Sequence, residues 1–409
     1  MKIAILGSNF YPELIGISVY TTEMSEHLRK ARHEVTVFTA FPYYPQWDIP
    51  QQYKGKLFAT EEHNGVLIRR SYIYVPKQVT TISRIIHELS FIVSSCINIL
   101  FSKKPDFLII VSPPLALGLV GCIVNILRRI PFIFHIQDLQ PDAAVELGMV
   151  KNWGLIRILY KMEKFIYANA NKISTISNKM GEKVIAKGVH NARIILFPNW
   201  VDTEYFKPFP KQNVFRIEHG LKDKFIVLYS GNIGYKQGMD IILKTAKEAS
   251  DIKDIIFVIV GDGAYKTEFF RKYKQLNLHN VLFLPLQPKE MLPYMLSAAD
   301  VSLVLQKKQM TDIVMPSKLL GIMACGSPVI VGANLGSNLH GIISESGCGI
   351  IIKPEDSVQL LDAMMEIYHN PHKAEEFGRK GRDFAVKHYS KEEILCAFEK
   401  RVVHEKIKQ

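Results

Sequence analysis

Three runs in the second half of the 409-residue chain combine glycine and lysine in the way that phosphate binding requires. In YSGNIGYKQGMD (229–240), Gly231, Gly234 and Gly238 punctuate a turn that also holds Asn232 and Lys236. Glycine lets backbone approach a phosphate, a helix N-terminus presents free N–H groups, and lysine adds a full charge. A glycine turn built only for tight packing, with Lys236 solvated, is the plainer alternative. VGDGAYK (260–266) sets Gly261 and Gly263 around Asp262 and by itself reads as a structural turn. In MPSKLLGIMACGSPVIV (315–331), Pro316 and Ser317 can open a helix whose first turn holds Lys318 and then Leu319. A cation in that position opposes the helix dipole unless an anion is bound. Together the runs point to a diphosphate-bearing ligand more firmly than any one alone. The expected contacts to it are Gly231, Asn232, Gly234, Lys236, Gly261, Gly263, Pro316, Ser317, Lys318 and Leu319.

The first half offers a different chemistry. GSNFYPELIGISVY (7–20) brings aromatic residues, including Tyr11 beside Pro12, to a helix start at Gly16. After the apolar run PFIFHI (131–136), His135, Asp138 and Asp142 place an imidazole and two carboxylates at the mouth of a buried strand. Carboxylates there can bind hydroxyls or take a proton, although a lone histidine in such a place is as readily a satisfied core residue. No ATP-type glycine loop, no G-x-G-x-x-G after the first strand and no nucleophile elbow occurs. With no D-x-D pair either, no metal site is expected. Basic helices interleaved with aromatics are also missing, so no nucleic-acid partner is expected.

These loops need strands to carry them. Apolar runs recur at 2–7, 34–40, 107–112, 131–136, 172–177 and 193–198, then at 225–231, 255–261, 281–286, 301–306, 328–332 and 349–354. Each precedes a helical pattern, and near-continuous apolar strands alternating with helices make parallel sheets covered on both faces. Two sets of six predict an α/β chain of two doubly wound, Rossmann-like domains, over 1–203 and 204–390, with a polar helix at 391–409 that packs one stripe on a domain and can cross back to the first. In such sheets ligands sit beyond the carboxyl ends of the strands, where the runs above lie. The apolar stretch 107–127 is long enough to span a bilayer, but Pro113-Pro114 divides it into a buried strand and a helix. The N-terminus reads as a first strand rather than a signal peptide. Five scattered cysteines form no C-x-x-C pair, which favours a reducing compartment. Fifty-one Lys and Arg against 39 Asp and Glu give a net charge of +12, which favours an anionic partner.

As a set, FYPELIG, HIQDLQPDAAVELGMV, FPNWVDTEYFKP and the three runs above resemble the family 4 retaining glycosyltransferases across essentially the whole chain. The similarity is greatest to those that build bacterial surface polysaccharides such as colanic acid, O-antigen and capsule, fucosyl- and N-acetylfucosaminyl-type transferases among them. The resemblance implies the GT-B architecture, two Rossmann-like domains facing a central cleft. It implies a UDP- or GDP-linked sugar held by the second domain, an acceptor entering through the first, and no cofactor or metal. Lys236 matches the family's phosphate-binding lysine, and Gly231 and Gly234 its glycine turn. Asn232 stands where many members have arginine. The family's second donor-sugar glutamate falls on Gly321 and the first on Ile313, beside Asp312, so Ser317 and Lys318 would share that work. His135, Asp138, Lys236 and Lys318 are the catalytic candidates, with Tyr11, Pro12, Gly16 and Asp138 on the acceptor side.

The segment 65–104 carries Arg69, Arg70, Lys77, Arg84, Lys103 and Lys104 against a single acid, Glu88, around an apolar helix. Such helices lie on anionic lipid, predicting a polyprenyl-diphosphate-linked glycan acceptor and a peripheral position on the inner face of the cytoplasmic membrane. A core helix with a basic rim is the alternative. Two other functions fit the same two-domain pattern: a nucleotide-sugar isomerase of the UDP-N-acetylglucosamine 2-epimerase kind, and a non-catalytic protein binding an anionic glycan or membrane.

Overall fold

The computed structural model describes residues 1–13, 16–78, 80–146, 152–309 and 317–404. It divides into one unit formed by Met1–Asn199 with Leu395–Gln409, and a second formed by Trp200–Ile394. Pro316, together with Ile313 and Asp312, lies outside the described residues.

In the first unit, β1 (Lys2–Leu6), β2 (Glu34–Ala40), β3 (Phe58–His63), β4 (Val66–Ser71), β5 (Phe107–Ser112), β6 (Phe132–Ile136), β7 (Lys172–Thr175) and β8 (Ile194–Leu196) form one sheet. Its order is β3-β4-β2-β1-β5-β6-β7-β8, parallel except for the antiparallel edge pair β3–β4. In the second unit, β9 (Phe225–Ser230), β10 (Ile255–Val260), β11 (Val281–Leu284), β12 (Val301–Leu305), β13 (Val329–Gly332) and β14 (Gly349–Ile352) pair in the order β11-β10-β9-β12-β13-β14, all parallel. Counted within the unit this is 3-2-1-4-5-6, the doubly wound order that opens a ligand crevice where the winding reverses, beyond β9 and β12. The central strands β5 and β6 are buried on both faces, as helices on either side of a parallel sheet require.

The stretch 107–127 resolves into strand β5, buried throughout, and the helix Leu117–Arg128, which buries one face in the first unit and exposes Ile123, Ile126 and Leu127 on the other. The hairpin β3–β4 corrects the reading of 65–104 as basic residues around one helix. Arg69 and Arg70 lie on β4, with Arg69 over the Phe38 ring. Arg70 is buried, pairs with Glu61 at 2.8 Å, and donates to the carbonyls of Ala40 and Tyr11. The helix that follows, Thr81–Leu100, is capped by Thr80 and Ser83. Within it, Ile82–Leu100 is the one described segment apolar and long enough to cross a membrane. All five cysteines lie among the described residues, and none forms a disulfide there.

Candidate active site

The glycine runs of the second unit lie against each other backbone to backbone. Gly231 N–H donates to the Val260 carbonyl at 2.9 Å, Ile233 N–H to Asp262 at 2.8 Å, and Tyr265 N–H to Ile233 at 2.9 Å. A Cβ on Gly261 would stand 1.9 Å from the Gly231 carbonyl oxygen, and one on Gly263 would stand 2.4 Å from Asn232 Oδ1. Both glycines are therefore explained by the close approach of two strand-end loops, and their first contact is protein rather than ligand. Asp262 is tied to Lys266 and to its own loop N–H, which holds its carboxyl below the usual range.

Lys318 starts the helix Lys318–Ala324 and reaches back to that turn. A Cβ on Gly231 would lie 3.4 Å from its Cδ and 3.8 Å from its Nζ. Its ammonium sits 3.9 Å from the centre of the Tyr229 ring, a cation–π contact, and Tyr229 in turn donates its hydroxyl to the Asn232 carbonyl at 2.7 Å. The ammonium nitrogen is buried and has no hydrogen-bond partner among the described residues, and burial lowers its pKa to about 7. An unpaired buried cation is costly unless an anion completes it. Gln237 Oε1, in the glycine turn, is likewise buried with no partner among the described residues. Lys236 differs. It sits on the short 3-10 turn Tyr235–Gln237, is exposed, and is held through its carbonyl by Lys307 N–H at 2.9 Å. Ser317 is exposed, Leu319 is core, and a Cβ at Gly321 would meet Leu296 and Phe206 at ordinary contact distances.

In the first unit His135 is 3% exposed and fully engaged. Its Nδ1 meets Ser174 Oγ at 2.8 Å, and Gln137 Nε2 donates to its Nε2 at 2.9 Å while exchanging amide bonds with Asn199. Burial drives its pKa down to about 3, so the ring is neutral. This corrects its place among the catalytic candidates: both nitrogens are spent inside the core and neither is offered to a substrate. Asp142 is also structural, pairing with Lys187, which bonds Glu163 at 2.8 Å as well. Asp138 is half-buried in the loop after β6. Tyr11 stacks on His63 at 3.6 Å, Pro12 is exposed, and Gly16 (φ 61°) lines a cavity at the carboxyl ends of β1, β2 and β5.

The sequence matches the glycosyl transferases group 1 model over residues 211–384 and the glycosyl transferase 4-like domain over 16–200. It is 35% identical over 408 residues to the Escherichia coli (strain K12) protein WcaI, assigned as a glycosyl transferase of colanic acid biosynthesis, covering 97% of this chain and 98% of that one. The chain belongs to this glycosyltransferase family. Among solved structures, sucrose-phosphate synthase from Thermosynechococcus elongatus is similar with a TM-score of 0.76 at 18% identity, covering 98% of both chains. Anabaena HepE, solved with UDP, is similar with a TM-score of 0.75 at 15% identity, covering 99% of this chain and 100% of that one. The fold is thus GT-B.

Glu13 is a residue of this glycosyltransferase that motif reading passes over. It is buried, and its carboxylate accepts the backbone N–H of Tyr43 and of Tyr44, each at 2.7 Å, and the Asn9 amide at 2.9 Å. It thereby ties the loop after β1 to the loop after β2. The proline-glutamate pair Pro12-Glu13 carries no signal of that role, because the two backbone N–H groups it holds lie 30 and 31 residues away.

Proposed function

We propose that this glycosyltransferase moves a sugar from a nucleotide diphosphate held by the second unit to a hydroxyl of a lipid-linked glycan, in the assembly of a bacterial surface polysaccharide of the colanic acid kind. The observation that carries the donor assignment is Lys318. Its ammonium is buried and has no partner among the described residues, and it lies against the glycine turn at the crevice of a doubly wound sheet. A diphosphate there supplies the missing counter-charge, and the ammonium then stabilises the negative charge that builds on the leaving phosphate as the glycosidic bond breaks. Retention of configuration by same-face attack, without a metal, is the reading that agrees with the family resemblance, and no covalent sugar intermediate is invoked.

For the acceptor, the helix Thr81–Leu100 supports a membrane source. Ile82, Ile85, Ile86, Leu89, Val93 and Ile97, with Phe101 just beyond, are all exposed along one face at helical spacing. The neighbouring helix Leu117–Arg128 adds exposed Ile123, Ile126 and Leu127. Lys77, Arg84, Lys103, Lys104 and Arg129, all exposed, lie within or close in sequence to these two helices. An apolar stripe with a basic rim suits the interface of an anionic bilayer, here the inner face of the cytoplasmic membrane. The test is incubation of the protein with UDP- and GDP-sugars and lipid extract, with separation of hydrolysis, epimerisation and transfer products. Transfer of label to the lipid fraction is expected. Epimerised nucleotide sugar without transfer, or no turnover of any donor, would overturn the assignment.

A further inference from the structure

Tyr229 opens the glycine run of the second unit without belonging to its glycine-lysine pattern, and it is fully buried on β9. β9 pairs with β10 as far as Ser230, but with β12 only through Val227 and Leu228. Tyr229 is therefore the first residue of β9 beyond its last pairing with β12, at the fork where the crevice opens.

Both ends of the side chain are engaged there. The hydroxyl donates to the Asn232 carbonyl at 2.7 Å, while Ile233 N–H, on the same peptide, donates to the Asp262 carbonyl at 2.8 Å. The peptide between Asn232 and Ile233 is thus held at its oxygen and at its nitrogen, which fixes the glycine turn. Phenylalanine would fill this core position with no hydroxyl to desolvate, so packing alone does not call for tyrosine. The ring carries the Lys318 ammonium 3.9 Å from its centre. An aliphatic side chain would bury that ammonium with nothing to attract it, whereas the negative face of an aromatic ring draws a cation, most strongly where water is excluded. Burial is what lowers the pKa of Lys318, and no charged group among the described residues adds to the shift. The nitrogen has no hydrogen-bond partner among them either, so the ring face is the attraction that these residues offer the charged form. Gly231 borders the same seat: a Cβ there would stand 3.8 Å from Lys318 Nζ, and its φ of 130° lies in the region that favours glycine.

Hydroxyl and ring act on the two parts of the site that would meet a diphosphate, the backbone turn and the ammonium. We propose that Tyr229 is a positioning residue of the transferase, its ring seating the charged Lys318 ammonium at the glycine turn while its hydroxyl locks that turn. That the seated ammonium serves the donor diphosphate rests on the function proposed above.

The test replaces Tyr229 in the full-length protein by phenylalanine and then by mono-, di- and trifluorophenylalanine. Fluorine withdraws negative charge from the ring face while nearly keeping its shape. The Lys318 ammonium is titrated by NMR of lysine labelled at Cε, its resonance assigned by its loss in Lys318→Met. Tyr229→Phe keeps the ring, so the midpoint should stay where it is in wild type. From phenylalanine to the trifluoro ring it should fall in steps, by about one pH unit in all, as a cation–π contact in a dry site implies. UDP and GDP are then titrated by calorimetry at pH 6 and pH 8. Tyr229→Phe should weaken the nucleotide about fivefold at both, through the loosened turn. Relative to phenylalanine, the trifluoro ring should weaken it about tenfold at pH 8, where few of the lysines are charged, and less than about twofold at pH 6. A midpoint that ignores fluorine, or an affinity lost equally at both pH values along the fluorine series, would overturn the seat. Unchanged affinity in Tyr229→Phe would overturn the lock. A midpoint that follows fluorine, with nucleotide affinity the same in Lys318→Met as in wild type, would leave the seat standing and remove the donor reading. Affinity that depends on Lys318 but not on fluorine would remove the seat alone.

Discussion

Burial withdraws the water that keeps a lysine protonated, and at Lys318 no described residue replaces it. In the folded protein its pKa stands at about 7 against 10.5 for an ordinary lysine. Between those values the unfolded chain binds a proton that the fold does not, so stability should rise with pH across that window, and Lys318→Met should flatten the rise. Urea titrations at pH 7, 8.5 and 10 check this. A bound diphosphate reverses the balance by favouring the charged form, so UDP or GDP binding should take up close to one proton at pH 8 and almost none at pH 6. Calorimetry in buffers of different ionisation heat measures that uptake. Losing a hydrogen bond to a charged group removes about 1.5–3 kcal/mol, so Lys318→Met should bind the nucleotide about 10- to 150-fold more weakly. Lys236→Ala, at an exposed side chain, should lose about fivefold or less. Spacing alone ranks Lys236 higher, because glycine and lysine are adjacent in its run; only the fold shows which ammonium is buried against the turn. His135 follows the same sign in a lower pH window. Its pKa of about 3 means that below 6.5 the unfolded chain gains a proton the native ring refuses. At pH 5 this should take about 2 kcal/mol from stability, and His135→Gln should remove that acid-side slope in urea titrations from pH 7 to 4.5.

At the scale of elements, each of the twelve apolar runs becomes a strand, because a strand buried on both faces must be apolar throughout and so announces itself. The pair β3–β4 escapes the same reading. As an edge hairpin, β3 alternates exposed and half-buried positions through Phe58–His63, with Glu61 and Glu62 in the middle, and β4 carries Arg69 and Arg70. Those charges look like a solvated or membrane-facing segment until Glu61 is found opposite Ile68 and paired with Arg70. The long helix that follows is legible from its apolar content, but its two-sidedness is not: Leu89 and Phe91 are equally apolar letters, one exposed and the other core. Lipid docking therefore belongs to the outer stripe alone. Ile85→Glu with Leu89→Glu should abolish flotation with anionic vesicles, since each side chain is worth about 1.5–3 kcal/mol when buried in the interface. Because both are about half exposed in the free protein, the melting temperature should barely change. Replacing Lys103 and Lys104 by glutamine should weaken low-salt binding by about 1 kcal/mol per residue. Full vesicle binding by the double glutamate variant would remove the stripe from the interface.

At the scale of the whole molecule, the chain leaves the first unit at Trp200, completes the second, and returns at Leu395. The first unit is thus built from two distant pieces of sequence. Its closing piece is not ornamental: Leu395, Phe398 and Val402 are buried, Phe398 stacks on Phe197 at 3.7 Å, and Glu399 meets His27 at 3.1 Å and His33 at 3.2 Å. Phe197 in turn lies 5.1 Å from His135, so the returning helix packs onto the layer that encloses the strand end of β6. The sequence pattern of the final helix gives its apolar stripe but cannot say which unit receives it, because a stripe records burial and not the partner. A contact closed over some 200 residues of separation contributes only when both units have been made, so its loss should fall on one unit. Phe398→Ala should therefore destabilise the first unit by about 3–5 kcal/mol, the range for removing a buried phenylalanine, and leave the second unchanged. Urea unfolding followed separately through Trp47 and Trp153 in the first unit and Trp200 in the second, in single-tryptophan variants, resolves the two. The expected result is a lowered midpoint for the first pair alone. Equal shifts in both signals would show that the returning helix stabilises the chain as one cooperative body rather than completing the first unit.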